Sequence, residues 1–192
     1  MIGSGFGIQW TIHTFIGFVL SLLLIEIGER PDIGIIEGFI GGAIIGLMQA
    51  IVLLPHLKQA GWWMAISAMC WAMMGWSGLG AIGWIAPRTL DISVRLLYGL
   101  SEGAKVGFVL GVGQYVLLSQ EVPQAWRWII ASIVDWAIAL ACGWALGGLL
   151  RLQFGQFLGD VIGLGCVWLL VGGLTGFALT LLLNRRKSGY RN

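Results

Sequence analysis

Apolar segments about as long as a membrane is thick alternate along the chain with short segments that contain proline or charged residues. The interruptions lie at residues 29–32, 55–58, 87–91, 120–123 and 151–154. A helix needs roughly 20 mostly apolar residues to cross a bilayer, and proline beside charge commonly ends a helix. The pattern predicts transmembrane helices over residues 6–27, 34–54, 62–85, 94–119, 125–150 and 157–183, followed by a basic tail over 184–192.

The composition agrees with this pattern. Apolar and aromatic residues make up 58% of the chain and charged residues 10%, against roughly 45–50% and 25% in soluble domains. The mean hydropathy is +0.88. We therefore expect an all-α integral membrane bundle of about six helices, with residues 1–192 as a single membrane domain. The net charge of +2 gives no reason to expect nucleic acid, so the lipid bilayer is the expected partner.

An even number of membrane crossings places both ends of the chain on one side. The basic residues predicted on that side are Lys58, Arg127, Arg185, Arg186, Lys187 and Arg191. Those predicted on the other side are Arg30, Arg88, Arg95 and Arg151. Because segments rich in Lys and Arg remain in the cytoplasm, we expect both termini on the cytoplasmic side of a bacterial inner or internal membrane.

The second and third helices repeat as the fourth and fifth. A shift of 65 residues aligns residues 37–76 with 102–141 without a gap and gives 12 identities in 40 positions. The repeat units extend over 37–83 and 102–148. Because each unit has two helices, consecutive units cross the membrane in the same sense, which makes this a parallel repeat.

The outer helices resemble a third unit. The same shift carries Gly107 and Gly111 onto Gly172 and Gly176 in the sixth helix. In the first helix, a Trp, a Thr and a Phe at residues 10, 14 and 18 match the four-residue spacing found at 63–71 and 128–136. The sequence thus predicts a pseudo-threefold arrangement of three hairpins, one of them circularly permuted.

Glycine and glutamine lie on one stripe of the first helix of each unit. Glycines four residues apart share a helix face and let a second backbone approach closely. The glycines predicted to pack against a second helix are Gly42, Gly46, Gly107, Gly111, Gly172 and Gly176. Gln49 and Gln114 fall near this stripe, where an amide either hydrogen-bonds a neighbouring helix or an indole N–H, or contacts a ligand.

The second helix of each unit carries an aromatic and hydroxyl stripe. Its members are Trp63, Ser67 and Trp71 in one unit and Trp128, Ser132 and Trp136 in the next. Tryptophan favours the bilayer interface, so we expect the first Trp of each stripe to anchor the protein there. The deeper Trp71 and Trp136, with Ser67 and Ser132, either pack between helices or line a cavity for a hydrophobic ligand.

Asp135 breaks the repeat, since its counterpart is Cys70. A carboxylate within a transmembrane helix costs roughly 2.5–3.5 kcal/mol, so it is expected to face the bundle and to have a partner. Two alternatives remain: a structural pair with Lys105 in a polar patch that includes Glu102, or a role in binding a proton, an ion or a ligand.

The repeated G-x3-G-x2-Q-x3-L pattern at 42–53 and 107–118, each followed by a Trp-led helix, resembles uncharacterised bacterial polytopic membrane proteins built from such hairpins. The resemblance covers about residues 34–183. It implies a helical membrane fold and no particular activity.

Two functions remain. The first is a non-enzymatic membrane component that associates with a membrane-protein partner or with further copies of itself, or that binds a lipid, carotenoid, chlorophyll or quinone. The second is a small transporter or channel whose polar path includes Asp135. The sequence has neither a catalytic motif nor metal-ligand spacing, so we expect no enzyme and no metal site.

Overall fold

The computed structural model describes residues 5–28, 34–155 and 157–188, and within them the fold is all-helical, as predicted. The helices are α1 Gly5–Ser21, α2 Ile35–Leu53, α3 Gly61–Trp76, α4 Ile92–Leu118, α5 Arg127–Phe154 and α6 Leu158–Ser188. Three helical segments are long and apolar enough to cross a membrane: Ile35–Leu53, Arg127–Phe154 and Leu158–Arg185. This finding supports association of the chain with a membrane.

The six helices form a closed ring. Each helix contacts the one before and the one after it, and α1 also contacts α6, which closes the ring. The smallest of these interfaces lies between α3 and α4. Large apolar side chains such as Ile36, Phe108 and Phe177 are exposed on the outside of the ring. An apolar outer surface of this extent is typical of a protein surrounded by lipid.

Local chemistry fixes two of the helix ends. The Asp91 carboxylate accepts hydrogen bonds from the backbone N–H groups of Ser93 (2.8 Å) and Val94 (3.1 Å), which would otherwise have no partner at the start of α4. Gly155 follows α5 with a φ of 65°, a left-handed conformation that glycine adopts at low cost.

Two helices are shorter than predicted. Helix α1 ends at Ser21 and α3 at Trp76, whereas the pattern predicted helix to residues 27 and 85. Gly78 and Gly80 adopt positive φ angles of 75° and 72°, which turn the chain back after α3. Residues 77–91, here called the inserted loop, then place the short 3-10 helix Ile82–Trp84 in the core. A buried loop is as apolar as a helix, so hydropathy does not separate them.

The C-terminal boundary also differs. Residues 184–188, predicted as the start of the basic tail, continue α6. Arg30 and Arg191, which contributed to the predicted orientation, lie outside the described residues.

Candidate functional site

A first tryptophan layer, formed by Trp10, Trp63 and Trp128, lies inside the ring. Each indole N–H donates a hydrogen bond to a side-chain oxygen: Trp63 to Gln49 Oε1 (2.9 Å), Trp128 to Gln114 Oε1 (3.1 Å) and Trp10 to Thr175 Oγ1 (2.9 Å). Burying an indole requires such an acceptor, since an unpaired buried N–H costs about 1–3 kcal/mol.

The prediction that Trp63 and Trp128 anchor the protein at the bilayer interface is wrong, because both are buried in the ring. Helical periodicity places them on the same face as the buried Ser67 and Ser132. The neighbouring Trp62 and Trp126 are 64% and 52% exposed, so these two rings have the exposure that an interface anchor requires.

The two glutamines join neighbouring hairpins. Besides accepting from an indole, the Gln49 amide donates to Thr14 Oγ1 and the Gln114 amide donates to Ser67 Oγ, both at 3.1 Å. These contacts are the ones expected if the amides hydrogen-bond neighbouring helices and indoles. Each glutamine therefore uses both ends of its amide in the core.

Thr175, the acceptor for Trp10, makes a different set of bonds from the two glutamines. Its hydroxyl accepts from Trp10 and donates to Val171 O at 2.5 Å. A threonine has no amide N–H, so it cannot make the bond to Ser132 that Gln114 makes to Ser67.

The glycines allow the close helix contacts that the sequence predicts. A Cβ added at Gly42 would lie 2.8 Å from Ser67 O, and one added at Gly107 would collide with Ser132 O. Added at Gly46 or Gly111, it would lie 2.9 Å from Met64 Cα or 3.0 Å from Ile129 Cα. Backbone atoms cannot move aside as a flexible side chain can.

In the contact between α6 and α1, the glycine that meets the facing backbone lies one helical turn earlier in α6 than the 65-residue shift predicts. A Cβ at Gly172 would lie 3.0 Å from Thr11 Cα, and Thr11 follows Trp10 as Met64 follows Trp63. Gly172 therefore occupies the position of Gly46, which the 65-residue shift assigned to Gly176. Gly176 instead faces Gly7.

A second tryptophan layer fills the next level of the ring. It consists of Trp71, Trp84, Trp136 and Trp168, with ring centroids 4.9–6.0 Å apart. The Trp84 N–H donates to Ser21 Oγ at 2.8 Å and the Trp168 N–H to Gly83 O at 3.0 Å. These contacts agree with the packing alternative for Trp71 and Trp136.

The cavity between the two layers is small. Its volume is about 20 Å³, and its polar lining consists of Gln49, Ser67, Gln114, Ser132 and Thr175. Ligand pockets for organic molecules are typically about 300–1,000 Å³, whereas roughly 10–15 Å³ holds one water molecule. A pigment or a quinone does not fit between the layers.

A buried ion network, which the sequence pattern did not indicate, lies at the other end of the ring. The fully buried Arg95 donates to Asp160 Oδ1 at 2.5 Å, and Arg151 donates to Asp160 Oδ2 at 2.9 Å. Arg95 also donates to the carbonyls of Thr89, Pro87 and Trp144. The network joins α4, α5, α6 and the inserted loop.

The sequence contains an indirect indication of this network. A Cβ at Gly148 would lie 2.7 Å from Arg95 Cδ, so this small residue makes room for the guanidinium. Arg95 and Asp160 also carry opposite charges in the first turns of α4 and α6, which could have suggested a pair.

The predicted polar patch is divided in two. Lys105 Nζ donates to Glu102 Oε1 at 2.7 Å, but the alternative that pairs Lys105 with Asp135 is wrong. Gly103 and Gly107 face α5, and Lys105, two residues from each, points about 200° away on its helix. Asp135 is only 9% exposed, and its Oδ2 has no hydrogen-bond partner among the described residues.

A groove opens on the side of the ring where α3 and α4 make their small contact. Its volume is about 520 Å³, and it lies between the inserted loop and α4, with Trp144 of α5 also contributing. Its apolar lining is Leu79, Ile82, Ile85, Ala86, Val94 and Trp144. Its polar lining includes Glu102 and Lys105, while Arg88, Thr89 and Tyr98 lie nearer the start of α4.

In the part of the chain that the structure describes, no three His, Cys, Asp or Glu side chains form a group that could hold a metal ion. Comparison of the chain with protein-family models, curated proteins and solved structures found no match.

Proposed function

We propose that the chain is a non-enzymatic integral membrane protein whose six helices all cross the membrane, with both termini in the cytoplasm. The exposed apolar side chains around the ring support this proposal, as do the three helical segments of sufficient length and hydropathy. Helices α1 and α3 are shorter, and after each of them the chain places further apolar residues in the core, Ile25 after α1 and residues 81–86 after α3.

A pseudo-threefold arrangement is part of the proposal. The hairpins are α2–α3, α4–α5 and α6–α1. Each contains the same contact, in which a buried indole N–H donates to a side chain three residues after a close-packed glycine. The glycine and acceptor pairs are Gly46 and Gln49, Gly111 and Gln114, and Gly172 and Thr175. This agreement in position supports a common origin for the three hairpins.

The function that the geometry supports best is binding of a lipid-soluble ligand in the groove between the inserted loop and α4. The observation that carries it is the Lys105 side chain, which is 50% exposed although it lies on a largely apolar groove wall. Lys105 is 13 residues into α4, about 20 Å along the helix. In a transmembrane α4 this is hydrocarbon depth, where an ammonium group is costly without acceptors.

The chemistry of the groove defines the class of ligand. Glu102 accepts one of the three N–H bonds of the ammonium group, so an oxygen acceptor on a ligand can accept another. The apolar wall formed by the inserted loop suits a long hydrocarbon body. A quinone, an oxygenated carotenoid or a glycerolipid has both features, whereas a pure hydrocarbon lacks the acceptor.

The transport alternative has one specific observation in its favour, the unpaired carboxylate oxygen of Asp135. A transported species would have little room along the ring axis, because the two tryptophan layers leave a cavity of only about 20 Å³ between them. We therefore favour ligand binding over conduction along the axis.

The experiment is to purify the protein in mild detergent, extract bound molecules, and identify them by absorption and mass spectrometry. Lys105→Met keeps the length of the side chain and removes its charge, so we expect it to lower the bound ligand at least about tenfold, as loss of a charged hydrogen bond worth about 1.5–3 kcal/mol implies. Lys58→Met, on an exposed loop away from the groove, is the matched control. Equal ligand content in the two variants would contradict the proposal.

A further inference from the structure

The third hairpin differs from the other two at one core position. In two hairpins a glutamine accepts from an indole and donates to the hydroxyl of the neighbouring hairpin. In the third, Thr175 accepts from Trp10 but is too short, and lacks the N–H, to reach Ser132 in the same way. The side-chain atoms missing from this position leave room inside the ring.

The cavity between the tryptophan layers borders this position. Ser132 and Thr175 both line it, together with the two glutamines. All four side chains are more than nine-tenths buried. A volume of about 20 Å³ is enough for one water molecule and too small for an organic ligand.

The polar groups suit a water molecule better than an apolar gas atom or a cation. The Ser132 hydroxyl brings a donor and two lone pairs, and the Thr175 oxygen, which already accepts from Trp10 and donates to Val171, keeps a lone pair. Each glutamine carbonyl oxygen accepts one indole N–H and keeps a second lone pair. Buried waters typically make about three hydrogen bonds, and these groups can supply them without a fixed charge.

We propose that the ring binds one structural water between Ser132 and Thr175, where it replaces the amide that the third hairpin lacks. The water donates one O–H to the remaining lone pair of Thr175 Oγ1 and the other to Ser132 Oγ, the hydroxyl to which an amide N–H₂ at this position would donate. The inference concerns the ring axis and is independent of the lateral groove.

The direct test is an experimental density map of the unmodified protein at a resolution where ordered waters are visible. We expect a peak within hydrogen-bond distance of both Ser132 Oγ and Thr175 Oγ1. A map that shows ordered waters elsewhere and no peak at this position overturns the proposal.

The second test replaces the water by an amide. Thr175→Gln adds two heavy atoms, so its carbonyl can accept from Trp10 while its N–H₂ donates to Ser132. We expect the peak to disappear and the midpoint of thermal unfolding to rise by about 2–4 °C relative to Thr180→Gln. Thr180 makes the same kind of bond to its own helix and lies outside the cavity. A midpoint below that of the control variant contradicts the proposal.

Discussion

The buried ion network at Asp160 allows the sharpest prediction about stability. Asp160→Asn keeps the shape of the side chain and removes the charge that faces Arg95 and Arg151. Arg95 is fully buried, so the guanidinium would remain in the core without an anionic partner. Removing one member of a buried ion pair commonly costs about 3–5 kcal/mol.

The structure places the expected cost at the lower end of that range. Arg95 keeps its three bonds to the carbonyls of Thr89, Pro87 and Trp144 after the substitution, and carbonyl oxygens compensate part of its charge. We therefore expect a loss of about 3 kcal/mol. For a chain of this length, 1 kcal/mol lowers the midpoint by about 2–4 °C, so the expected decrease is about 6–12 °C.

The assay is thermal unfolding in detergent, followed by circular dichroism or by tryptophan fluorescence. Asp91→Asn is the matched control, because Asp91 is an exposed helix cap and asparagine caps a helix about as well as aspartate. The double variant Arg95→Met/Asp160→Leu removes both charges and should recover most of the loss, since apolar replacement of a buried pair is commonly neutral or stabilising. An Asp160→Asn midpoint within about 2 °C of the control would refute the reasoning.

Three further predictions follow from the packing of the ring. Gly103→Ala places a Cβ against the backbone of the facing helix and should lower stability by about 1–3 kcal/mol or prevent assembly, whereas Gly173→Ala, which meets nothing within 4 Å, should leave the unfolding midpoint unchanged. Gln114→Leu leaves an indole N–H and a hydroxyl without their partner and should cost about 1–3 kcal/mol, with a change in tryptophan emission; an unchanged midpoint and spectrum would contradict the bridging role. Asp135→Cys introduces the residue found at the equivalent place in the repeat and removes an unpaired buried carboxylate, so we expect equal or higher stability in the same assay, and a large loss would indicate a partner for this side chain.

The sequence predicts the helices well where an apolar segment is bounded by charge on both sides. Helix α2 occupies Ile35–Leu53, within one residue of its predicted limits. The prediction of helix from the apolar pattern fails after Trp76. Hydropathy indicates burial, and the inserted loop is as buried as a helix. Gly78 and Gly80 mark the turn, but in a chain with 31 glycines they do not stand out.

The polar contacts of the core were predicted only in part. Gln49 and Gln114 stand out because an amide is rare among apolar residues and both occur at the same place in the repeat. Arg95 was instead counted among the basic residues on the side of the membrane opposite the termini, since a guanidinium near a helix end normally reaches water. Its burial depends on Asp160, 65 residues away, and on the space at Gly148, which only the three-dimensional packing brings together.

The closing contact of the ring has a consequence for how the protein is made. Helix α1 precedes α6 in the chain, yet the acceptor for its Trp10 N–H is Thr175 in α6. A chain made only as far as α5 contains the partner that joins α1 to α2, Gln49 for Thr14, but not the acceptor for Trp10. The contact that closes the ring therefore cannot form before α6 has been synthesised.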